Sequence, residues 1–183
     1  MQVRAEQDFL VTKQQINETT TQSPPTSSSL PVALFKSGQL LTIKPTCRGG
    51  LILQKSFYAD LIGPGSAVGG YFDIKCNFVY QLGKVEFSVP ETYEDRRLAV
   101  QKRIACIRRL QSIVILPLAI DRAQRMIELL SRWLGQAEAE GIPDELAAKL
   151  AGVLPKTIIL AWEKYHSESS QQDANHSINQ TMS

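Results

Sequence analysis

Between Gly141 and His166 the chain reads GIPDELAAKLAGVLPKTIILAWEKYH, and this pattern predicts a pair of helices. Pro143 suits the first turn of a helix, where its missing N–H costs nothing, and the two acids after it favour the positive end of the helix dipole. Apolar residues then recur at helical spacing up to Gly152, and again after Pro155. Two short helices joined by a glycine-containing turn predict a helix-turn-helix, the unit that places its second helix in a DNA major groove.

The position of the turn within this stretch is left open by the sequence. With Gly152 at the turn, Ile158 is buried, but Leu146 and Leu150 face away from the core. With Ala151 at the turn, the two leucines are buried and Ile158 is exposed. A turn one residue longer than usual would reconcile the two patterns.

Around this stretch the chain has a regular order of elements, and the predicted fold class is α+β. A small β-roll or β-sandwich, rich in short strands separated by glycine turns, is followed by a long helix and a helix-turn-helix module. The ends are rich in Ser, Thr, Gln and Pro, with little to bury, and are predicted to be disordered. The predicted segments are a tail at 1–31, the β-rich module at 32–90, the long helix at 91–119, the helix-turn-helix module at 120–166 and a tail at 167–183.

The β-rich module is predicted from five apolar or alternating runs. They are ALFKSGQLLTI (33–43), LILQ (51–54), FYADLI (57–62), GYFDIKCNFVYQL (70–82) and KVEFSV (84–89). Short strands at such spacing are typical of a small sandwich or barrel.

The long helix carries an apolar seam and a basic face. Its apolar residues recur every three or four positions, as in a dimerisation helix, and the helix is expected to break near Pro117. We predict a homodimer interface at Val100, Ile104, Ile107 and Val114, in line with Leu110 and Leu118. The other face carries Arg96, Arg97, Lys102, Arg103, Arg108 and Arg109. It is expected to be a solvated face beside the dimer seam. The alternative is a DNA track, in which the arginines from Arg96 to Arg132 supply much of the attraction for DNA.

The next helix is predicted to begin at Asp121, whose side chain would cap it. Its apolar stripe is expected to contain Ala123, Met126, Ile127, Leu130, Trp133 and Leu134. This helix would lead directly into the helix-turn-helix stretch.

Three stretches, in this order of elements, resemble the bacterial cyclic-AMP-receptor/FNR (Crp/Fnr) family of transcription regulators. They are Phe35–Leu40 (FKSGQL), Leu61–Gly69 (LIGPGSAVG) and Val85–Pro90 (VEFSVP). The resemblance implies a β-roll sensor, a long dimer helix and a helix-turn-helix that binds DNA. The β-rich module here is shorter than is usual in that family, so the chain resembles a shortened, divergent member.

Cyclic-nucleotide binding is not expected, although many members of the family have it. Nucleotide-binding members carry an acidic residue just after the glycine turn, whereas Gly70 follows Gly69 here. No arginine occurs between Arg48 and Arg96 to hold a cyclic phosphate, which needs a cation or a nest of N–H donors. We therefore predict no cofactor.

Metal binding and catalysis are not expected either. The three cysteines lie far apart and there are only two histidines, so no zinc site or disulfide framework is predicted. A Ser-His-Asp set, a GxSxG elbow, an HExxH motif and a paired-carboxylate site are all missing from the pattern, which indicates that the protein is not an enzyme. No apolar h-region or run of 18 apolar residues occurs, so we predict a cytoplasmic protein without a membrane partner.

The residues predicted to contact double-stranded DNA are Lys149, Lys156, Thr157, Ile159, Leu160 and Lys164. The charge of this region is unusual for DNA binding, which depends largely on cations that neutralise phosphates. Residues 136–166 contain three lysines against five acids, while most arginines lie on the preceding helices. An alternative function is therefore a protein-interaction module, in which a degenerate helix-turn-helix presents Leu154, Ile159 and Leu160 to a protein partner.

Overall fold

A computed structural model of the chain describes residues 32–167, which form two compact units. The first contains residues 32–53 and 62–103, and the second contains residues 54–61 and 104–167. The predicted α+β class is confirmed. The predicted tails at 1–31 and beyond 167 lie outside the described residues.

Between residues 32 and 88 the strands are short. The elements there are α1 (Val32–Lys36), β1 (Leu40–Ile43), β2 (Gly50–Gln54), β3 (Ala59–Ile62), β4 (Ala67–Gly69), a 3-10 turn (Gly70–Phe72), β5 (Phe78–Leu82) and β6 (Phe87–Ser88). Within the described residues these strands form two three-stranded sheets. One has the order β4-β1-β6, with Leu41 opposite Val68 and Ile43 opposite Phe87, and the other has the order β3-β2-β5.

The first apolar run of the module is only partly a strand, so the prediction for residues 33–43 was wrong at its beginning. Residues 32–36 form a helix, and the Ser37 hydroxyl donates a 2.8 Å hydrogen bond to the Leu34 carbonyl at its end. Gly38 then takes a φ of 81°, which favours glycine and lets the chain turn into β1. The helix buries Phe35, whose ring packs edge-on against Phe87 with 5.8 Å between centroids.

The long helix, α2, spans Tyr93–Val114, within the predicted range of 91–119. Its start is fixed by a reciprocal cap, a feature typical of helix N-termini. The Asp95 N–H donates to the Thr92 hydroxyl at 3.1 Å, and the Thr92 hydroxyl and N–H donate to the Asp95 carboxylate. The helix ends three residues before Pro117, because the position before a proline disfavours helical geometry.

The remaining helices are α3 (Ala119–Leu134), α4 (Gln136–Glu140), α5 (Asp144–Ala151) and α6 (residues 155–167). The prediction that Asp121 caps α3 was wrong, since the helix begins two residues earlier and Leu118 stands at the cap without a side-chain bond. Asp121 instead lies in the first turn, where its charge favours the helix dipole. None of the helices described between residues 32 and 167 is long and apolar enough to cross a membrane.

A buried ion pair lies at the centre of the first unit. The Arg103 guanidinium donates to the Asp73 carboxylate at 3.0 Å, and both side chains are about 1% exposed or less. The second oxygen of Asp73 accepts the Gly69 N–H at 2.8 Å. The expectation that Arg103 lies on a solvated basic face was therefore wrong: a charge at this position of α2 is retained in the core by its carboxylate partner.

Removal of the Asp73 charge is expected to destabilise the protein strongly. Asp73→Asn leaves the Arg103 charge buried without its counter-charge, which costs about 3–5 kcal/mol of unfolding free energy. The matched control is Glu94→Gln, which removes the carboxylate of the exposed Arg97–Glu94 pair and costs less than about 1 kcal/mol. Urea unfolding measures both, and similar losses for the two variants would contradict the assignment.

Candidate nucleic-acid interface

The turn between α5 and α6 is short and has a defined geometry. Gly152 follows α5 in the left-handed region, at φ 63° and ψ 43°. The N–H groups of Gly152 and Val153 both donate to the Ala148 carbonyl, which satisfies an acceptor that the end of the helix leaves open. Pro155 then opens α6, where its missing N–H costs nothing. Three residues therefore separate the two helices.

Burial along the two helices resolves the open question about the turn. Gly152 occupies it, and Ile158 and Ala161 of α6 are fully buried, yet Leu146 and Leu150 are also at most 4% exposed. The apparent conflict arose from assigning α5 a single inward face. A helix that is apolar on most sides can be buried on most sides, and in α5 the buried residues are Leu146, Ala147, Ala148, Leu150 and Ala151.

Arg122 lies in the first turn of α3 and donates hydrogen bonds both to the linker before α3 and to the turn between α5 and α6. Its Nη1 donates to the Leu116 carbonyl at 2.8 Å and to the Pro117 carbonyl at 3.4 Å. Its Nη2 donates to the Gly152 carbonyl at 3.3 Å. The sequence pattern did not predict this role for Arg122. A signal was present, because a cation is unfavourable in the first turn of a helix unless specific acceptors hold it there.

The surface of α6 that points away from the core combines apolar side chains with charges of both signs. Lys156, Ile159, Leu160 and Glu163 lie at helical spacing on one side, called here the outer face of α6, and all four are exposed. Leu154, just before the helix, is 74% exposed.

Of the six residues predicted to contact DNA, five lie on α6. Lys156, Ile159 and Leu160 belong to its outer face, and Thr157 is half-buried beside them. Lys164, near the end of α6, and Lys149, on α5, lie apart from these four. Lys164 is exposed with its Nζ 3.4 Å from the Gln124 side-chain oxygen, and Lys149 is half-buried on α5.

Most of the basic residues on α2 and α3 are engaged with other groups. Arg96 donates to the carbonyls of Pro90 and Glu91, while Arg97, Arg103 and Arg125 pair with Glu94, Asp73 and Glu128. Arg122 holds the carbonyls described above. The exposed basic residues that remain are Lys102, Arg108, Arg109 and Arg132. The positive charge available for DNA is therefore smaller than the sequence count suggests.

The predicted dimer residues remain partly open to solvent. Ile104 and Val114 are 40% and 42% exposed, and Val100 and Ile107 are half-buried. The pairing of two copies through them stays a prediction.

The end of α6 is tied to α4 by polar and aromatic contacts. His166 lies 2.9 Å from the Glu140 carboxylate, which also accepts a 2.8 Å hydrogen bond from the Gln136 amide. The hydrogen bond from Gln136, and then the one from His166, lower the pKa of Glu140 below its ordinary value of 4.5. Trp162 stacks on the His166 ring with 5.6 Å between centroids.

Across residues 32–167 no group of three or more His, Cys, Asp or Glu side chains is arranged to hold a metal ion. Comparison with protein-family models, with curated proteins and with solved structures finds no match to this chain.

Gly152→Ala is expected to lower the unfolding free energy by about 1–2 kcal/mol, because a side chain disfavours the left-handed region. Space does not limit the substitution, since an added Cβ would lie 3.6 Å from Val114. Gly141→Ala is the matched control. Gly141 is equally exposed but has φ −71° and ψ −8°, so alanine there should be neutral or stabilising by up to about 1 kcal/mol. Chemical denaturation distinguishes the two, and equal effects would contradict the proposed constraint.

The contacts of Glu140 predict that its contribution to the stability of the fold decreases at acidic pH. Because the pKa of Glu140 is lower in the folded chain, its contribution to stability is complete above pH 4.5 and is lost as the pH falls through the folded value. NMR titration of the side-chain carboxyl should show the lowered pKa, and Gln136→Ala should move it back toward 4.5. A Glu140 titration that is unchanged by Gln136→Ala and by His166→Ala would contradict this origin of the shift.

Proposed function

We propose that the protein is a DNA-binding transcription regulator, similar in organisation to a shortened Crp/Fnr-family member. In this proposal α5, the turn and α6 form a helix-turn-helix, and α6 enters the major groove. One observation carries it: the left-handed Gly152 turn joins two short helices whose inward side chains, Ile158 and Ala161 among them, are fully buried. This arrangement leaves the outer face of α6 open to a ligand.

The outer face suits DNA contacts of limited sequence specificity. Lys156 offers a cation to a phosphate, and Ile159 and Leu160 offer apolar contact to a thymine methyl group. Bidentate recognition of guanine or adenine requires Arg, Lys, Asn or Gln, and Lys156 is the one such residue among the four that form this face. We therefore expect a modest discrimination between bases.

Pairing through α2 would give the regulator a twofold axis. The exposed apolar residues Ile104 and Val114 support such a seam because solvent covers them in a single copy. A dimer of this kind binds half-sites separated by about one helical turn of DNA, roughly 34–36 Å. The proposal also places the regulator in the cytoplasm.

The glycine turn of the first unit supports a regulator that does not use a cyclic nucleotide. The Gly69 N–H, which a phosphate nest would need as a donor, already donates to the Asp73 carboxylate.

A second function, as a protein-interaction module, is favoured by a different observation. Leu154 is 74% exposed, and Ile159 and Leu160 are each nearly half exposed, so the same face presents adjacent apolar side chains. Such a patch suits a partner protein better than a phosphate backbone. Acids outnumber lysines in residues 136–166, which points the same way.

Charge reversal at Lys156 distinguishes the two functions. If α6 enters the major groove, Lys156→Glu should weaken binding to genomic DNA fragments about tenfold, or ~1.4 kcal/mol. It should also lower the slope of the logarithm of the binding constant against the logarithm of the salt concentration by about one. Fragment retention by the full chain at low salt, measured over a range of salt concentrations, gives both quantities.

The matched control is Lys36→Glu, which makes the same charge change at an exposed residue of the first unit. Equal effects of Lys156→Glu and Lys36→Glu, or no retention of any fragment above a random-sequence control, would exclude DNA binding through α6. The protein-interaction function would then be the better explanation of the exposed leucines.

A further inference from the structure

A groove of about 650 Å³ lies between α2 and α3, within the second unit. Its walls carry three guanidinium groups, those of Arg109, Arg125 and Arg132, and it is called here the arginine groove. The volume falls within the range of about 300–1,000 Å³ that is typical of small-molecule sites.

The charge of the groove is strongly one-sided. Glu128 is the one carboxylate that lines it, and its oxygen already lies 2.9 Å from Nη1 of Arg125. Arg109 and Arg132 are exposed and add two further positive charges to the walls. Guanidinium groups bind carboxylates and phosphates through paired hydrogen bonds, so an anionic group is the ligand that fits these walls.

Four apolar residues also line the groove, and they are called here its floor. Ile113 is 8% exposed, and Leu116, Leu129 and Trp133 are half-buried. A phosphodiester backbone alone would gain nothing from this floor, whereas a ligand with an apolar or aromatic body would bury it against Trp133 and the leucines. The combination favours a small organic anion over the DNA backbone.

We propose that the arginine groove binds a small organic anion that joins a phosphate or carboxylate group to an aromatic or apolar body. Arg109 and Arg132 hold the anionic group, and Trp133 with Leu129 holds the body. This site goes beyond the proposed DNA binding and does not depend on it. A ligand in this groove would contact α3. The same helix carries Arg122, which donates a hydrogen bond to the turn before α6.

Phenyl phosphate is the probe that tests the inference, with inorganic phosphate and phenol as its two separate parts. Titration calorimetry on the full chain should show phenyl phosphate binding about tenfold or more tightly than either part. The chain has two tryptophans, so a Trp162→Phe background reports Trp133 fluorescence alone, and phenyl phosphate should change it.

Arg132→Gln and Arg109→Gln should each weaken phenyl phosphate binding about tenfold, because each removes one guanidinium from the walls. Arg97→Gln is the matched control, since it removes an exposed arginine of α2 that does not line the groove, and it should change nothing.

Three results would overturn the inference. One is phenyl phosphate binding no more tightly than inorganic phosphate. Another is an equal effect of Arg132→Gln and Arg97→Gln. The third is weaker DNA retention by Arg132→Gln with unchanged phenyl phosphate binding, which would assign these arginines to DNA instead. If Lys156→Glu abolishes DNA binding and leaves phenyl phosphate binding intact, the groove binds its anion independently of DNA binding through α6.

Discussion

The second unit depends on the Arg122 guanidinium, which holds carbonyls from two separate segments. One segment is the linker after α2, where the carbonyls of Leu116 and Pro117 accept hydrogen bonds. The other is the turn before α6, where the Gly152 carbonyl accepts one. The hydrogen bond to Leu116 is the shortest of the three and is partly buried, whereas those to Pro117 and Gly152 are longer and exposed. Hydrogen bonds from a charged group contribute about 1.5–3 kcal/mol, and less where water competes for them. The cation therefore serves the geometry of the turn and is not free for a phosphate. The position of the proposed DNA-binding helix follows from this arrangement.

Charge has two different uses in this protein. Buried or engaged cations such as Arg103 and Arg122 fix the fold, whereas the exposed cations Lys156, Arg109 and Arg132 are open to ligands. The exposed cations lie on two surfaces of different character. The outer face of α6 has one lysine among apolar side chains, and the arginine groove has several guanidinium groups above an apolar floor. These differences suit a helix that contacts DNA and a groove that binds a small anion.

Periodicity in the sequence predicted the longer helices, because apolar spacing directly reflects the buried side of a helix, but it predicted neither α1 nor α4. In the predicted stripe of α3, Ala123, Met126, Ile127 and Leu130 are buried, whereas Trp133 and Leu134 are only half-buried. The helix α2 lies within its predicted range. Tertiary contacts explain the failures. Residues 32–36 are helical because Phe35 packs on Phe87, and Arg103 is buried because Asp73, thirty residues away in sequence, supplies its counter-charge. The arginine groove was not predicted either, since its walls are brought together only by the packing of α2 against α3.

Contact between the outer face of α6 and double-stranded DNA, as proposed above, can be measured by backbone NMR. A short duplex would be titrated at low salt into the uniformly labelled full chain, with amide shifts followed residue by residue. The claim predicts the largest shifts at residues 153–164, centred on Lys156, Ile159 and Leu160, with small shifts at the exposed Lys36. Absence of shifts in that range, or their confinement to the first unit, would contradict it.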